Sequence, residues 1–202
     1  MSHSPPKICG IILAAGCASR MGSVKQLLLA GDRPILEHVV SNACRSRLHE
    51  IITVLGYSAD RIRTEVDFSD TRISIVINSR YEQGQSTSLI KGLNHVSPSC
   101  DAAMFLLGDQ PLVTCKIINT LILAYEKHRA PVTIPYYREK RGNPVIIGKE
   151  LFHRLKALSG DMGARSLFRT LKDRIMKVQF DDDAVITDVD TEKDYENIKS
   201  RF

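Results

Sequence analysis

Residues 11–28 read IILAAGCASRMGSVKQLL, and this stretch decides how the rest of the chain is read. An apolar strand over residues 8–13 runs into a loop of small residues that holds Gly16 and Gly22 and carries Arg20 and Lys25. Glycine has no Cβ, so backbone N–H groups there can approach an anion closely. Two cations beside those amides neutralise what the amides hold, and a polyphosphate is the natural guest. The loop departs from the two commonest phosphate motifs. A Walker A loop places Lys directly after Gly and follows it with Ser or Thr, whereas here Gly22 and Lys25 are separated and Gln26 follows. No Gly-x-Gly-x-x-Gly occurs, so dinucleotide binding loses its main support. The competing reading is an ordinary strand-to-helix loop with two surface cations. Two glycines, an Arg and a Lys directly after the first buried strand weigh towards phosphate.

Outward from this loop, apolar runs alternate with helical patterns. Strands are expected over residues 8–13, 51–55, 73–77, 102–107, 132–135, 144–147 and 175–180. Several are unbroken Ile, Val and Leu runs, the pattern of strands covered on both faces. Helices are expected over 35–46, 86–96, 117–127, 149–158 and 164–171. This alternation predicts an α/β three-layer sandwich with a mainly parallel sheet. No repeat, low-complexity tract or linker divides residues 1–202, so a single domain is expected.

Charge narrows the partners. The net charge is +5, but the basic residues are dispersed and there is no Trp, so neither a basic stripe nor a stacking platform for nucleic acid is evident. Small acidic substrates fit better. No apolar run reaches membrane-spanning length and the start lacks the apolar stretch of a signal peptide, so a cytoplasmic location is expected. The cysteines are five, with no Cys-x-x-Cys pair, which indicates neither a disulfide framework nor a zinc site. Cys9 and Cys44 read as small packing groups, and Cys17 as a spacer within the loop.

Two carboxylates stand out. Gly108-Asp109 follows the strand 102–107, and in open α/β sheets ligands gather beyond the carboxyl ends of the parallel strands. Asp109 and the Gly16–Lys25 loop are therefore expected at the same edge. A carboxylate there suits Mg²⁺, which takes one or two carboxylates, waters and substrate phosphates. Asp190 is the chosen partner. Thr191-Glu192-Lys193-Asp194 reads as a helix start that fixes the backbone at Asp190, with Asp188 as a weaker substitute.

Leu13-Ala14-Ala15-Gly16, Arg20-Met21-Gly22 and Lys25-Gln26-Leu27-Leu28 together resemble the signature loop of the molybdenum cofactor nucleotidyltransferases, which have the nucleotide-diphospho-sugar transferase fold. The resemblance continues through Asn78, Tyr81 to Leu89, Gly108-Asp109-Gln110-Pro111, Arg141-Gly142-Asn143-Pro144-Val145, Gly160-Asp161-Met162-Gly163-Ala164-Arg165 and Asp188-Val189-Asp190-Thr191. It implies a mixed sheet with one antiparallel strand in the second half. It also implies transfer of a nucleotide from a triphosphate to an acceptor phosphate with release of pyrophosphate. On this reading Lys25 and Mg²⁺ serve the α-phosphate, while Arg20 and the amides of Gly16 to Gly22 hold the β- and γ-phosphates. Leu13, Ala14 and Ala15 line the nucleotide, and Asp109 and Asp190 hold the metal. Family members with Ala-Ala-Gly in the loop lean towards CTP, and a methyl at Ala15 narrows the space near the base. Asn78, Ser86 and Ser88 are candidate readers of base or ribose, although Ser86 could equally cap a helix. Arg141, Asn143, Asp161 and Gly163 are candidates for the acceptor, taken as molybdopterin, with ordinary turn chemistry as the alternative for both segments. The product would pass to a recipient molybdoenzyme. Two alternatives are a nucleotidyltransferase for a sugar or alcohol phosphate and a non-catalytic maturation factor.

Overall fold

The computed structural model describes residues 4–16, 24–160, 168, 170, 171 and 174–202. Strand β1 (Ile8–Ala14) is followed by a small hairpin of β2 (Leu29–Ala30) and β3 (Arg33–Pro34), which leads into helix α1 (Ile35–Cys44). Then come β4 (Glu50–Leu55), α2 (Ala59–Glu65), β5 (Ile73–Ile77), α3 (Gln85–Leu93), β6 (Ala102–Leu107) and α4 (Cys115–His128). The second half supplies β7 (Val132–Tyr137), β8 (Lys140–Arg141), β9 (Val145–Gly148), α5 (Phe152–Lys156), β10 (Ile175–Phe180) and α6 (Glu192–Lys199).

The main sheet runs in the order β10-β7-β9-β6-β1-β4-β5, with β8 paired to β7. Strand β1 pairs in parallel with both β4 and β6, and β4 with β5 and β10 with β7 are also parallel. Strand β9 is antiparallel to both β6 and β7, which makes the sheet mixed. Side chains of a strand alternate between faces, and β1 divides its apolar residues accordingly. Ile8 and Ile12 pack with Leu36 and Val39 of α1 and Ile118 and Leu121 of α4. Cys9 and Ile11 pack on the opposite face with Leu89 and Leu93 of α3 and Leu155 of α5. Helices thus cover both faces of a mixed, mainly parallel sheet, and the three-layer α/β expectation holds.

Several boundaries differ from the sequence expectation. The helix expected over 149–158 is split into a 3₁₀ turn, Lys149–Leu151, and the five-residue α5. Helix α3 stops at Leu93, where the Asn94 and His95 amides fold back on Ile90 and Gly92 and the chain turns ahead of Pro98. Strand β9 begins at Val145 because Pro144 has no N–H to give the ladder. The helix expected over 164–171 falls largely outside the described residues. No helix among the described residues is long and apolar enough to cross a membrane.

Candidate active site

The site is built where β1 and β6 end side by side. Gly108 N–H donates to the Leu13 carbonyl at 3.0 Å. A Cβ at Gly108 would lie 2.8 Å from Ala14 Cβ, so only glycine lets the two strand ends approach this closely. Asp109 follows directly, at the carboxyl edge of the sheet. Its backbone carbonyl accepts the Val189 N–H at 3.1 Å, a bond that draws residues 188–190 onto the end of β6.

Asp190 is fixed from its other side. Thr191 Oγ1 accepts the Asp194 N–H at 3.2 Å, and Asp194 Oδ2 accepts the Thr191 N–H at 2.8 Å, a capping box that starts α6. The Thr191 hydroxyl and the backbone amides hold the Asp194 carboxyl below its usual range. Asp194 is therefore occupied as a cap, and Asp190 is left facing the site.

Lys25 joins the two. It lies in a 3₁₀ turn, Lys25–Leu27, closed by Leu27 N–H on the Val24 carbonyl at 2.8 Å. Its Nζ is 2.5 Å from Asp109 Oδ2 and 3.0 Å from Asp190 Oδ1, and it also donates to the Val189 carbonyl at 3.2 Å. Burial alone would lower the ammonium pKa, but the charges and hydrogen bonds of Asp109 and Asp190 outweigh it and raise the pKa above the ordinary lysine value. Lys25 is thus a fixed cation at neutral pH. Asp188 sits beside them with its pKa raised, first by burial and then by the charges of Asp109 and Asp190.

These residues open onto a cavity of about 480 Å³ that Leu13, Ala15, Gly16 and Gln26 also line. The opposite wall is the 3₁₀ turn Tyr81–Gln83 and the start of α3, with Tyr81, Glu82, Gly84, Gln85 and Ser88. The structure therefore brings Leu13, Ala15, Gly16, Lys25, Ser88, Asp109 and Asp190 around one space together with Asp188, the weaker carboxylate candidate, and adds Gln26, Tyr81, Glu82 and Gln85, which the sequence reading did not assign to the site. Gln26 had one signal, its place next to Lys25.

Other candidates stand elsewhere. The Asn78 side chain spends its hydrogen bonds inside the fold, donating to Thr87 Oγ1 and Ser88 Oγ at 2.9 Å each and accepting the Arg80 N–H at 3.0 Å. It anchors α3 to the end of β5, and it holds Ser88 rather than lining the cavity. Ser86 is buried outside the cavity with its N–H on the Gly160 carbonyl, and Gly84, not Ser86, is the N-cap of α3. Ala15 lines the cavity but is only 3% exposed, and its methyl lies 2.9 Å from where a Gly56 Cβ would stand. The methyl is thus part of the wall rather than a protrusion into the space. Arg141 and Asn143 are at the β7–β8 hairpin and beyond it, away from the cavity lining. The Arg141 guanidinium lies 4.9 Å from the centre of the Phe168 ring, and the Asn143 N–H donates to the Val185 carbonyl at 2.8 Å. Cys17, Arg20, Gly22, Asp161 and Gly163 lie outside the described residues.

The donor set bears on a divalent ion. Asp109 Oδ1 is buried with no hydrogen-bond partner among the described residues. Such a carboxylate oxygen, beside Asp190, suits a hard cation that takes one or two carboxylates and completes its shell with water and phosphate. The residues present fit Mg²⁺ or a similar ion.

A lysine held between two carboxylates at the strand ends suits a nucleotide's phosphates bound with a divalent ion, the arrangement expected of a nucleoside triphosphate transferase. Residues 10–175 match the family of MobA-like NTP transferase domains, and the chain belongs to that family. Among solved structures it resembles the Rv0371c homolog from Mycobacterium sp. strain JC1, with 30% identity, 96% of each chain covered and a TM-score of 0.84. The Rv0371c structure from Mycobacterium tuberculosis in complex with manganese aligns at 26% identity over 97% of this chain and 100% of that one, with a TM-score of 0.82. The nicotine blue oxidoreductase of Paenarthrobacter nicotinovorans is 26% identical over 92% of this chain and 93% of its own length. The bifunctional protein GlmU of Staphylococcus saprophyticus is 28% identical over 61% of this chain, and the match spans 27% of that protein's length.

Proposed function

We propose that this chain transfers a nucleoside monophosphate from a nucleoside triphosphate to a phosphorylated acceptor, with CTP as donor and the phosphate of molybdopterin as acceptor. The observation that carries the reading is Lys25 Nζ held between Asp109 and Asp190 at the ends of β1 and β6. An oxygen of the acceptor phosphate attacks the α-phosphorus, the bond from that phosphorus to the bridging oxygen of the β-phosphate breaks, and pyrophosphate leaves. The acceptor phosphate is already ionised near neutrality, so the site needs no dedicated general base. Its work is positioning and charge neutralisation. Lys25 supplies a permanent positive charge near the α-phosphate. Arg20 and the loop amides up to Gly22 are assigned the β- and γ-phosphates on the motif alone. Asp109 and Asp190 would hold the divalent ion, Mg²⁺ by preference, and that ion would neutralise phosphate charge when bound. The manganese in the mycobacterial structure supports use of a divalent ion.

CTP rests on Ala14-Ala15-Gly16. The Ala15 methyl is buried against Gly56, so the case for CTP rests on the loop sequence and its resemblance, not on a side chain entering the space. Molybdopterin rests on the ordered set of motifs shared with the molybdenum cofactor nucleotidyltransferases. Arg141, Asn143, Asp161 and Gly163 remain acceptor candidates on that basis. The name of the Paenarthrobacter relative favours a second reading, an oxidoreductase, and its match covers nearly the whole chain. The sequence contains no Gly-x-Gly-x-x-Gly, which gives that reading less support.

Pyrophosphate release, measured with each of the four nucleoside triphosphates, Mg²⁺ and either molybdopterin or a panel of sugar phosphates, tests the assignment. Release with CTP and molybdopterin is expected. Faster release with GTP overturns the base, and release only with a sugar phosphate overturns the acceptor. Binding without release turns the chain into a carrier. Oxidation of a reduced nicotinamide in place of release establishes the redox reading.

A further inference from the structure

Gln26 is 2% exposed, although it is polar and adjoins the charged centre. Its Nε2 donates to the Gly16 carbonyl at 2.9 Å and to the Ala14 carbonyl at 3.3 Å. Two carbonyl partners fix the orientation of the amide, because only its NH₂ end can face both. Its Oε1 is buried and has no hydrogen-bond partner among the described residues. A buried polar atom left unpaired is costly, and such an arrangement persists where the rest of the side chain is needed.

The geometry places this side chain between two halves of the site. Within the tight turn Lys25–Leu27, Lys25 faces Asp109 and Asp190, while Gln26 faces back onto the end of β1. Ala15, between the two bonded carbonyls, has its own carbonyl taken by the Tyr57 N–H at 3.1 Å. All three carbonyls at the entrance to the glycine loop are therefore engaged. A carbonyl oxygen left free there would repel an incoming phosphate.

We infer that Gln26 is a positioning residue for the phosphate tail: its amide locks the carbonyls of Ala14 and Gly16, and this sets both the start of the anion loop and the turn that carries Lys25. The inference rests on the nucleotidyltransferase reading. It assigns Gln26 no contact with the reacting atoms.

The test compares the preferred nucleoside triphosphate with its monophosphate, each with Mg²⁺, by calorimetric titration of the wild type and two variants. Gln26→Met keeps the length and removes both donors. Gln26→Glu keeps the shape and sets an oxygen against two carbonyl oxygens, so it serves if the Met variant does not fold. The triphosphate is expected to bind about tenfold more weakly to either variant, the value of one to two lost neutral hydrogen bonds. Monophosphate affinity stays within about twofold, and the KM for the triphosphate rises more than kcat falls. Equal weakening of both ligands makes Gln26 only a structural residue and overturns the inference, as does unchanged triphosphate binding. A wild type that binds no triphosphate overturns the nucleotidyltransferase reading itself, and the inference with it.

Discussion

Asp109→Asn keeps the shape of its side chain and removes its charge, so it isolates the electrostatics of the site from its packing. In the wild type, Asp109 Oδ2 is 2.5 Å from an ammonium that is only 14% exposed, with its own side chain 18% exposed. The variant leaves Lys25 with Asp190 Oδ1 at 3.0 Å and the Val189 carbonyl at 3.2 Å, so the ammonium is not stranded. It also relieves Asp188, whose pKa is raised by burial and then by the charge of Asp109. Breaking a fully buried pair costs roughly 3–5 kcal/mol. The partners that remain here bring the loss down to about 1–2 kcal/mol, closer to a charged hydrogen bond. For a chain of this size that is a fall in melting temperature of roughly 2–8 °C. Catalysis is affected more strongly. Removing a preorganised charge costs roughly 3 kcal/mol in the transition state, or about a hundredfold in rate. Steady-state pyrophosphate release and a thermal melt on the same preparation give both numbers. A folded Asp109→Asn enzyme with kcat/KM within about threefold of wild type would refute the assignment of Asp109 to the reaction.

Lys25→Met removes a cation that competes for the oxygens a divalent ion needs, so Mn²⁺ affinity without nucleotide should rise by about tenfold or more while turnover falls about a hundredfold. Titration followed by the paramagnetic signal of free Mn²⁺ reads the first effect, and a loss of affinity would separate Lys25 from the metal carboxylates. Chelation of divalent ions should abolish triphosphate binding itself as well as turnover, checked by calorimetry with and without chelator. Gly108→Ala puts a methyl 2.8 Å from Ala14 Cβ and 3.1 Å from the Leu13 carbonyl, so β1 and β6 must part at the site. Overpacking of this kind costs about 1–3 kcal/mol, and a melting temperature and turnover equal to wild type would remove the close approach from the argument. Asp70 is held at a pKa of about 2 by its hydrogen bonds to the Arg72 side chain and backbone, below an ordinary 3.8. A lowered carboxyl pKa contributes stability above the unfolded value that is lost as pH falls through the folded one. Asp70→Asn should therefore melt below wild type at neutral pH, with the gap closing between pH 3.8 and about 2. A gap that widens on acidification would reverse the sign of this contribution.

The central strands β1, β4 and β6 were the most legible part of the fold, because parallel strands buried on both faces leave near-continuous apolar runs, whereas the two-residue strands β2, β3 and β8 leave no such run. Helix α2 went unread for the opposite reason. Ile62 is its one buried residue, so Ala59–Glu65 carries no apolar period. Within the site, Asp109 could be placed because a glycine and an acid follow directly on an apolar strand. The partnership with Asp190 depends on the Val189 N–H and the Asp109 carbonyl, a bond between positions far apart in the chain that leaves no local pattern. Polar residue type misleads in another way. Asn78 and Ser86 have the chemistry to read a base, yet sequence does not distinguish a side chain spent on a ligand from one spent on Thr87 and Ser88. Gln26 is the converse case, a residue that looks like filler beside Lys25 and is buried against the loop it follows.

The balance of charge explains why the site needs more than its described residues. Around the cavity, Lys25 is the cation among described residues, set against Glu82, Asp109, Asp188 and Asp190. A space lined this way repels a triphosphate, and the raised pKa of Asp188 reflects the same crowding of negative charge after burial. Phosphate binding there requires added positive charge close to the carboxylates. A divalent ion on Asp109 and Asp190 would supply part of it, and Arg20 in the glycine loop would supply more. Lys25 lies on those same carboxylates, where its ammonium offsets part of their charge. A divalent ion on these carboxylates would compete with Lys25 for Asp109 Oδ2 and Asp190 Oδ1.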